Sequence, residues 1–191
     1  MTLGITLFCY WFVLWLLKKF KPEPSFKLHL TLLVLITPLV IYPFVYSPVW
    51  WLRGLIGDLS ITSLLLLVSA VHQQLFGQFL IRDTERKPLE IGVVVLGLCL
   101  YPFALGLGEM DPYALGYASP WLIGGLVMIA AFGLVRQFQA IPLMMMLALA
   151  AWNMQLLQSV NLWDYVIDPF IFFFYLGRLV KKSIKSMKHA S

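Results

Sequence analysis

The side chains best suited to chemistry in this sequence are acidic residues that stand beside tyrosine and tryptophan. They are Asp58, Glu109, Asp111, Asp164 and Asp168, with Tyr113, Tyr117 and Trp163 as their aromatic neighbours. Carboxylate oxygens that converge could hold a divalent cation or act as a general base. Carboxylates and aromatic rings together could instead bind an amine headgroup, in part through cation–π contacts. We therefore take these residues as a candidate acidic and aromatic binding face.

Helix capping is a simpler interpretation for three of these carboxylates. Aspartate is a favoured N-cap residue, and a proline at the first helical position strengthens the signal. Asp111 and Asp168 each precede a proline directly, and Asp58 stands at the start of an apolar run. Capping does not account for Glu109 or Asp164. These two residues are therefore the stronger candidates for a functional role.

Composition indicates that most of this chain lies in lipid. Of its 191 residues, 61% are hydrophobic and only 12% are charged, and the mean hydropathy is +0.85. A soluble domain carries about 25% charged residues. The apolar runs are continuous and do not alternate, so they predict helices whose backbone groups are satisfied internally. The expected fold is an all-α, polytopic transmembrane helix bundle that forms one integral membrane domain over residues 1–191.

The apolar runs predict seven membrane-spanning helices. Their approximate bounds are 2–17, 28–46, 59–81, 89–107, 120–135, 141–159 and 166–180. About twenty helical residues cross the ~30 Å hydrocarbon layer, so the run over 2–17 is a marginal candidate. If that run lies in the interface instead of crossing, the number of spans falls to six.

Basic residues determine the predicted orientation of these spans. All 14 Lys and Arg residues except Arg53 lie at alternate breaks between the spans or in the C-terminal tail. The positive-inside rule places those breaks and the C-terminus in the cytoplasm. The acidic and aromatic face then lies on the extracytoplasmic side. We predict a protein of the bacterial inner (cytoplasmic) membrane, and we interpret the net charge of +5 as an orientation signal, with no nucleic-acid partner.

Polar side chains inside the predicted spans form a second candidate group. His72 and Gln73 lie in the third span, and Gln155 and Gln158 lie in the sixth. Residues three apart share a helix face, so Gln155 and Gln158 could form hydrogen bonds between helices. They could also belong to a polar path that leads from the acidic face to His72. The sequence leaves both interpretations open.

A basic stripe begins at the end of the last predicted span and continues beyond it. It consists of Arg178, Lys181, Lys185 and Lys188. Spacings of three and four residues place these side chains on one face of a helix. Such a stripe is typical of a segment that lies on the anionic cytoplasmic leaflet, so we predict a lipid-anchoring role.

No motif in the sequence requires a cofactor or a metal ion. Phosphate-binding loops, nucleophile elbows, zinc-protease motifs and paired CxxC cysteines are all absent from it. Cys9 and Cys99 each lie in an apolar run and are interpreted as packing residues. We therefore predict no cofactor and no metal site.

Three functions are compatible with these patterns. The favoured one is a small non-enzymatic subunit whose extracytoplasmic face docks a partner protein or a lipid headgroup. The second is a membrane-embedded enzyme that acts on lipid-linked substrates at the outer interface, with Glu109, Asp111, Asp164 and Asp168 as its reactive groups. The third is a small-solute transporter whose path is lined by the polar spans. The first is favoured because no constellation of residues requires a reaction.

Overall fold

The computed structural model describes residues 3–20, 26–41, 54 and 57–190, and that part of the chain is helical without any β-strand. This confirms the all-α prediction for the described residues. Its α-helices are α1 (Leu3–Phe20), α2 (Phe26–Ile41), α3 (Ile61–Phe76), α4 (Asp83–Ala104), α5 (Pro120–Val135), α6 (Ala140–Asn153), α7 (Trp163–Val166) and α8 (Pro169–Ala190). A short 3₁₀ helix, Pro112–Gly116, lies between α4 and α5.

One helix in the described part of the chain, α4, is long and apolar enough to cross a membrane. It has 22 residues, which corresponds to about 33 Å at a rise of 1.5 Å per residue. The helices α3, α5 and α6 and the apolar parts of α1 and α2 are shorter, at 10–17 residues. The count of seven spans therefore stays a prediction.

The chain divides into two compact units, of which the first comprises Met1–Leu59 and Leu64–Leu80. In this unit α1 packs against α2. The core contains Tyr10 and Leu14 of α1 and Val71 of α3. Partly buried side chains that surround it are Trp11, Leu32, Ile36 and Leu75. The apolar faces of these three helices thus form one small core.

The second unit comprises Ser60–Ser63 and Ile81–Ser191. Its helices pack chiefly as two pairs, α5 with α6 and α4 with α8. Each pair has a glycine at a close approach. A Cβ atom at Gly133 would lie 2.8 Å from Pro142, and one at Gly97 would overlap the ring of Phe172. Small residues let helix backbones approach closely, so these two positions set the spacing within the pairs.

The helices α4, α5 and α6 end in the same way, with one residue in the left-handed backbone conformation. These residues are Gly106 (φ 86°), Gln137 (φ 58°) and Gln155 (φ 50°). Paired backbone hydrogen bonds close each last turn, in the Schellman arrangement that usually uses glycine. Arg136 marks the end of α5, which agrees with the predicted bound of 135, but no glycine or charged residue marks the end of α6, and the predicted end at 159 is wrong. The helix α6 ends at Asn153, so Gln155 and Gln158 share no helix face.

The start of α6 is capped by a carboxylate from another helix. Glu85 of α4 is fully buried, and its oxygens accept hydrogen bonds from the backbone N–H groups of Gln139 (2.8 Å), Ala140 (2.7 Å) and Ile141 (3.2 Å). The unpaired N–H groups and the dipole at a helix N-terminus both favour a negative charge there. Glu85 therefore joins the start of α6 to α4.

Candidate functional site

The 3₁₀ helix Pro112–Gly116 is fastened to the segment around α7 by hydrogen bonds. The indole N–H of Trp163 donates to the carbonyl of Pro112 at 2.9 Å, and the backbone N–H of Leu162 donates to the carbonyl of Gly116 at 2.9 Å. Trp163 is buried, so it holds the loop and is not part of an exposed aromatic face. These bonds join two loops that are far apart in the sequence.

Asn161 is the centre of this junction. Its Nδ2 donates to the carbonyl of Tyr113 at 3.0 Å, and its Oδ1 accepts the backbone N–H of Trp163 at 2.9 Å. Its own backbone N–H donates to Ser159 Oγ at 3.0 Å. A Cβ atom at Gly116 would overlap the Asn161 side chain. The glycine is therefore needed for the loop to reach the amide.

Asp164 is paired with Tyr113, which the sequence did not predict. The hydroxyl of Tyr113 lies 3.0 Å from Oδ1 and 2.9 Å from Oδ2 of Asp164 and donates to this carboxylate. Burial raises the pKa of the Tyr113 phenol, and the hydrogen bond to Asp164 and its negative charge raise that pKa further. The Tyr117 ring meets the Tyr113 ring edge-on at 6.1 Å. Asp164 thus orders the loop that carries Tyr113 and Tyr117.

Asp168 caps α8 and also accepts a hydrogen bond from Ser60, the residue before α3. Its Oδ1 accepts the backbone N–H of Ile171 at 2.9 Å, which confirms the predicted N-cap of α8, and its Oδ2 accepts the backbone N–H of Ser60 at 2.8 Å. Ser60 Oγ in turn accepts the N–H of Ser63 at 3.1 Å. The expectation that Asp58 caps this helix is wrong, because α3 starts at Ile61 and the serine hydroxyl occupies the capping position.

The two remaining carboxylates lie in the loop between α4 and α5. Asp111 Oδ1 accepts the N–H of Ala114 at 3.2 Å, so it caps the 3₁₀ helix as predicted. Glu109 is exposed and forms no hydrogen bond or ion pair with the described part of the chain. The exposed side chains that accompany it are Leu105, Leu107 and Met110. We call Leu105, Leu107, Glu109 and Met110 the loop surface.

An open cleft of about 380 Å³ lies beside Tyr117 and Ala118 of this loop. Its lining consists of Tyr117, Ala118, Trp152, Asn153, Gln155 and Val160. The side chains in this set are aromatic, amide or aliphatic, and none carries a charge. We call this feature the amide–aromatic cleft. It contains two of the predicted site residues, Tyr117 and Gln155.

His72 forms a local contact at the end of α3. Its Nδ1 lies 2.8 Å from the carbonyl of Gln78, and its ring lies 4.7 Å from that of Phe76. Ser69 Oγ accepts the N–H of Leu80 at 3.2 Å in the same turn. Gln73 is half-buried, and its carbonyl accepts the N–H of a residue in that turn. These contacts give the polar residues of α3 a role in ending their helix.

The basic stripe continues α8 without a break. Lys181, Lys185 and Lys188 are exposed, as a lipid-anchoring segment requires. Arg178 instead lies with its Nε 3.6 Å from Glu90 of α4. Lys182, which the stripe did not include, approaches the same carboxylate at 2.7 Å. The stripe therefore begins with an ion-pair cluster that joins α4 to α8.

Sequence reasoning missed the residues that connect the loops. Asn161 and Glu85 take their roles from partners that are 48 and 54 residues away, and no local pattern encodes such distances. Trp152 and Asn153 lie inside the predicted span 141–159, and no local pattern assigns them to a site. An aromatic–amide pair close to the end of a predicted span is the signal that could have found them.

Among the residues that the structure describes, two features stand out as available to a ligand or partner. Asp111, Asp164 and Asp168 already accept hydrogen bonds from the chain. Within the described residues, no group of three or more His, Cys, Asp or Glu side chains could hold a metal ion. Comparison with protein-family models, curated proteins and solved structures gives no match for the chain. The loop surface and the amide–aromatic cleft are the features that remain.

Proposed function

We propose that this protein is a small integral membrane subunit with no enzymatic activity, whose loop surface docks a partner protein on the extracytoplasmic side. The topology proposed is that of seven spans, or six if residues 2–17 do not cross, with the C-terminus in the cytoplasm. The observation that carries the docking proposal is the loop surface itself, because it is apolar, exposed and attached to an internally hydrogen-bonded loop.

The side chains of α5 support the location in a membrane. Its buried side is apolar, as Leu126 illustrates, and its exposed side is apolar too, with Met128 at 73% and Val135 at 79% exposure. A helix on the surface of a soluble protein carries polar residues on its exposed side. A helix that is apolar on all sides fits a lipid environment. In water, an exposed apolar surface of this kind would promote aggregation.

The hydrogen bonds of the neighbouring loop support docking by a preformed surface. The 3₁₀ helix next to the loop surface is held by Trp163 and Asn161, and its start is capped by Asp111. A surface that is ordered before binding loses little conformational entropy on association. Exposed leucine and methionine side chains on such a support suit the apolar centre of a protein interface.

Charge favours a protein over a phospholipid headgroup as the occupant. The segment 105–117 contains Glu109 and Asp111 and has no lysine or arginine. A phosphate group would therefore meet like charge and find no basic partner. A protein with an apolar patch and a basic rim would complement both Glu109 and its apolar neighbours.

An enzymatic role for the carboxylates has less support. Of the four proposed reactive groups, Asp111, Asp164 and Asp168 are hydrogen-bonded within the chain. A general base or metal ligand needs a carboxylate that can reach the substrate. Glu109 alone does not provide such a constellation.

Purification from native membranes in mild detergent tests the docking proposal. The wild-type chain is expected to retain a stoichiometric protein partner, and Met110→Asp is expected to weaken that retention roughly tenfold or more, because it places a second charge in the apolar surface. Met187→Asp is the matched control, since Met110 and Met187 are 70% and 64% exposed. Absence of any stoichiometric protein, or equal loss in both variants, would contradict the proposal.

A further inference from the structure

We propose that the amide–aromatic cleft is a binding site for a neutral saccharide, either the sugar headgroup of a glycolipid or a free oligosaccharide. The inference comes from the lining of the cleft alone. It therefore does not depend on a partner protein at the loop surface. Only the side of the membrane on which the cleft opens follows from the proposed topology.

The aromatic walls of the cleft are suited to the apolar face of a sugar ring. Trp152 is half-buried, and its indole N–H donates to the carbonyl of Val160 at 2.8 Å, which fixes the ring beside another residue of the lining. Tyr117 is exposed, and its ring packs edge-on against Tyr113. Both rings offer a π face with a slight negative potential. The C–H groups on the face of a sugar carry the complementary positive potential.

The amides of the cleft are suited to the hydroxyl groups of the sugar. Asn153 and Gln155 are both exposed, at the C-terminal end of α6. Each amide offers an acceptor oxygen and two N–H donors. A sugar hydroxyl both donates and accepts, so adjacent hydroxyl groups can be matched by one amide. Aromatic rings with neutral amides therefore provide what a polyhydroxylated ring requires.

The absence of charge in this lining disfavours charged ligands. None of the lining residues is Lys, Arg, His, Asp or Glu. A phosphate or carboxylate ligand would lose its hydration without gaining a charged partner, and a quaternary amine would gain only the rings. The volume of about 380 Å³ lies in the range of small-molecule sites. A neutral ligand with many hydroxyl groups uses both the rings and the amides of this lining.

Two of the lining residues also have an unusual backbone conformation. Ala118 and Gln155 both line the cleft, and both have left-handed backbones, with φ of 60° and 50°. Residues other than glycine adopt this conformation rarely, and they are enriched at ligand sites. Gln137 adopts it too, at the end of α5 and outside the cleft lining. The conformation of Gln155 therefore follows from its place at the end of α6, and it brings the glutamine side chain to the cleft.

Binding measurements with two arms test the proposal and distinguish the sources of the sugar. The full chain is purified in a detergent without a sugar headgroup, because an alkyl glycoside would compete. In the first arm, maltose, lactose and chitobiose are titrated by calorimetry. In the second arm, the protein is released from nanodiscs that contain equal amounts of glucosyldiacylglycerol and phosphatidylglycerol, and the retained lipid is identified by native mass spectrometry.

Matched variants assign any binding to the cleft. Tyr117→Ala and Gln155→Gly are expected to weaken saccharide binding at least tenfold. Trp121→Ala removes another exposed aromatic ring, and Gln137→Gly relieves the same backbone conformation elsewhere, so both should bind like wild type. Gln155→Gly and Gln137→Gly should also raise the thermal midpoint alike, which separates lost binding from misfolding.

Each outcome of these measurements either supports or overturns the saccharide proposal. Saturable saccharide binding in either arm that is lost in the cleft variants and kept in the controls supports the proposal, and the responding arm identifies the source. The proposal is overturned if neither arm shows saccharide binding, if phosphatidylglycerol is retained equally well, or if the control variants lose binding to the same extent. None of these results depends on whether a partner protein co-purifies.

Discussion

At the residue scale, the main result is that most of the suspected reactive carboxylates are engaged in building the loops. Asp111 and Asp168 are helix caps, and both roles follow from the proline that comes next in the sequence. Asp164 could not be assigned in this way, because its partner Tyr113 lies 51 residues earlier. A capping motif is local and can be recognised in a sequence, whereas a hydrogen bond between distant loops exists only once the chain has folded.

The Tyr113–Asp164 hydrogen bond predicts a loss of stability at alkaline pH. Because burial and Asp164 raise the pKa of Tyr113 above its ordinary value of 10.0, the protonated phenol is favoured in the folded state. Its contribution to stability is full below about pH 10 and is lost as the pH rises beyond that value. The thermal midpoint of the wild type should therefore fall more between about pH 8 and about pH 11 than that of Tyr113→Phe. Equal falls in the two proteins would show that this bond adds nothing.

At the element scale, the positions of the helices were predictable, and so were both ends of α5 at Pro120 and Val135, but the end of α6 was not. Continuous apolar runs predict every long helix of the described chain. The predicted end of the sixth span, at 159, is wrong because no glycine marks the end of α6. Gln155 stops α6 without a glycine, and the start of α6 is stabilised by Glu85, a residue of another helix. Propensity and periodicity report on neighbouring residues, so they could not reveal either contact.

The α4–α8 pair provides a test of helix spacing. In Gly97→Ala the new methyl group would overlap the Phe172 ring, so we expect destabilisation of about 1–3 kcal/mol through overpacking. Gly92→Ala is the control on the same helix, because nothing lies within 4 Å of its Cβ position. That change should be neutral or should stabilise by up to about 1 kcal/mol. Unfolding of both variants in detergent measures the difference, and similar midpoints would mean that Gly97 does not set the spacing.

At the scale of the whole molecule, charge carries the information about orientation. The sequence alone separates the basic breaks from the acidic ones, because Lys and Arg are retained on one side during insertion. No comparable rule exists for function. The cleft combines side chains from two segments that are more than thirty residues apart in the sequence, so it could not be recognised as a unit beforehand. The all-α class of the described residues was thus accessible from the apolar runs, and the cleft was not.

Cysteine labelling tests the proposed orientation. In a chain with Cys9→Ser and Cys99→Ser, Met110→Cys should react with a membrane-impermeant maleimide in intact cells. Lys188→Cys should react only after the membrane is permeabilised, since the positive-inside rule places the tail in the cytoplasm. Labelling of both positions in intact cells, or of neither without permeabilisation, would refute the orientation.

The short helices of the second unit have a consequence for the surrounding lipid. The helices α5 and α6 have 16 and 14 residues, or about 24 and 21 Å of length, against a hydrocarbon layer of about 30 Å. In the proposed topology this hydrophobic mismatch compresses the bilayer around the α5–α6 pair or draws flanking polar side chains inward. The resulting strain is relieved in thinner membrane or beside another short-spanned protein. Bilayer thickness would thus help to choose where this protein resides and with which neighbours it assembles.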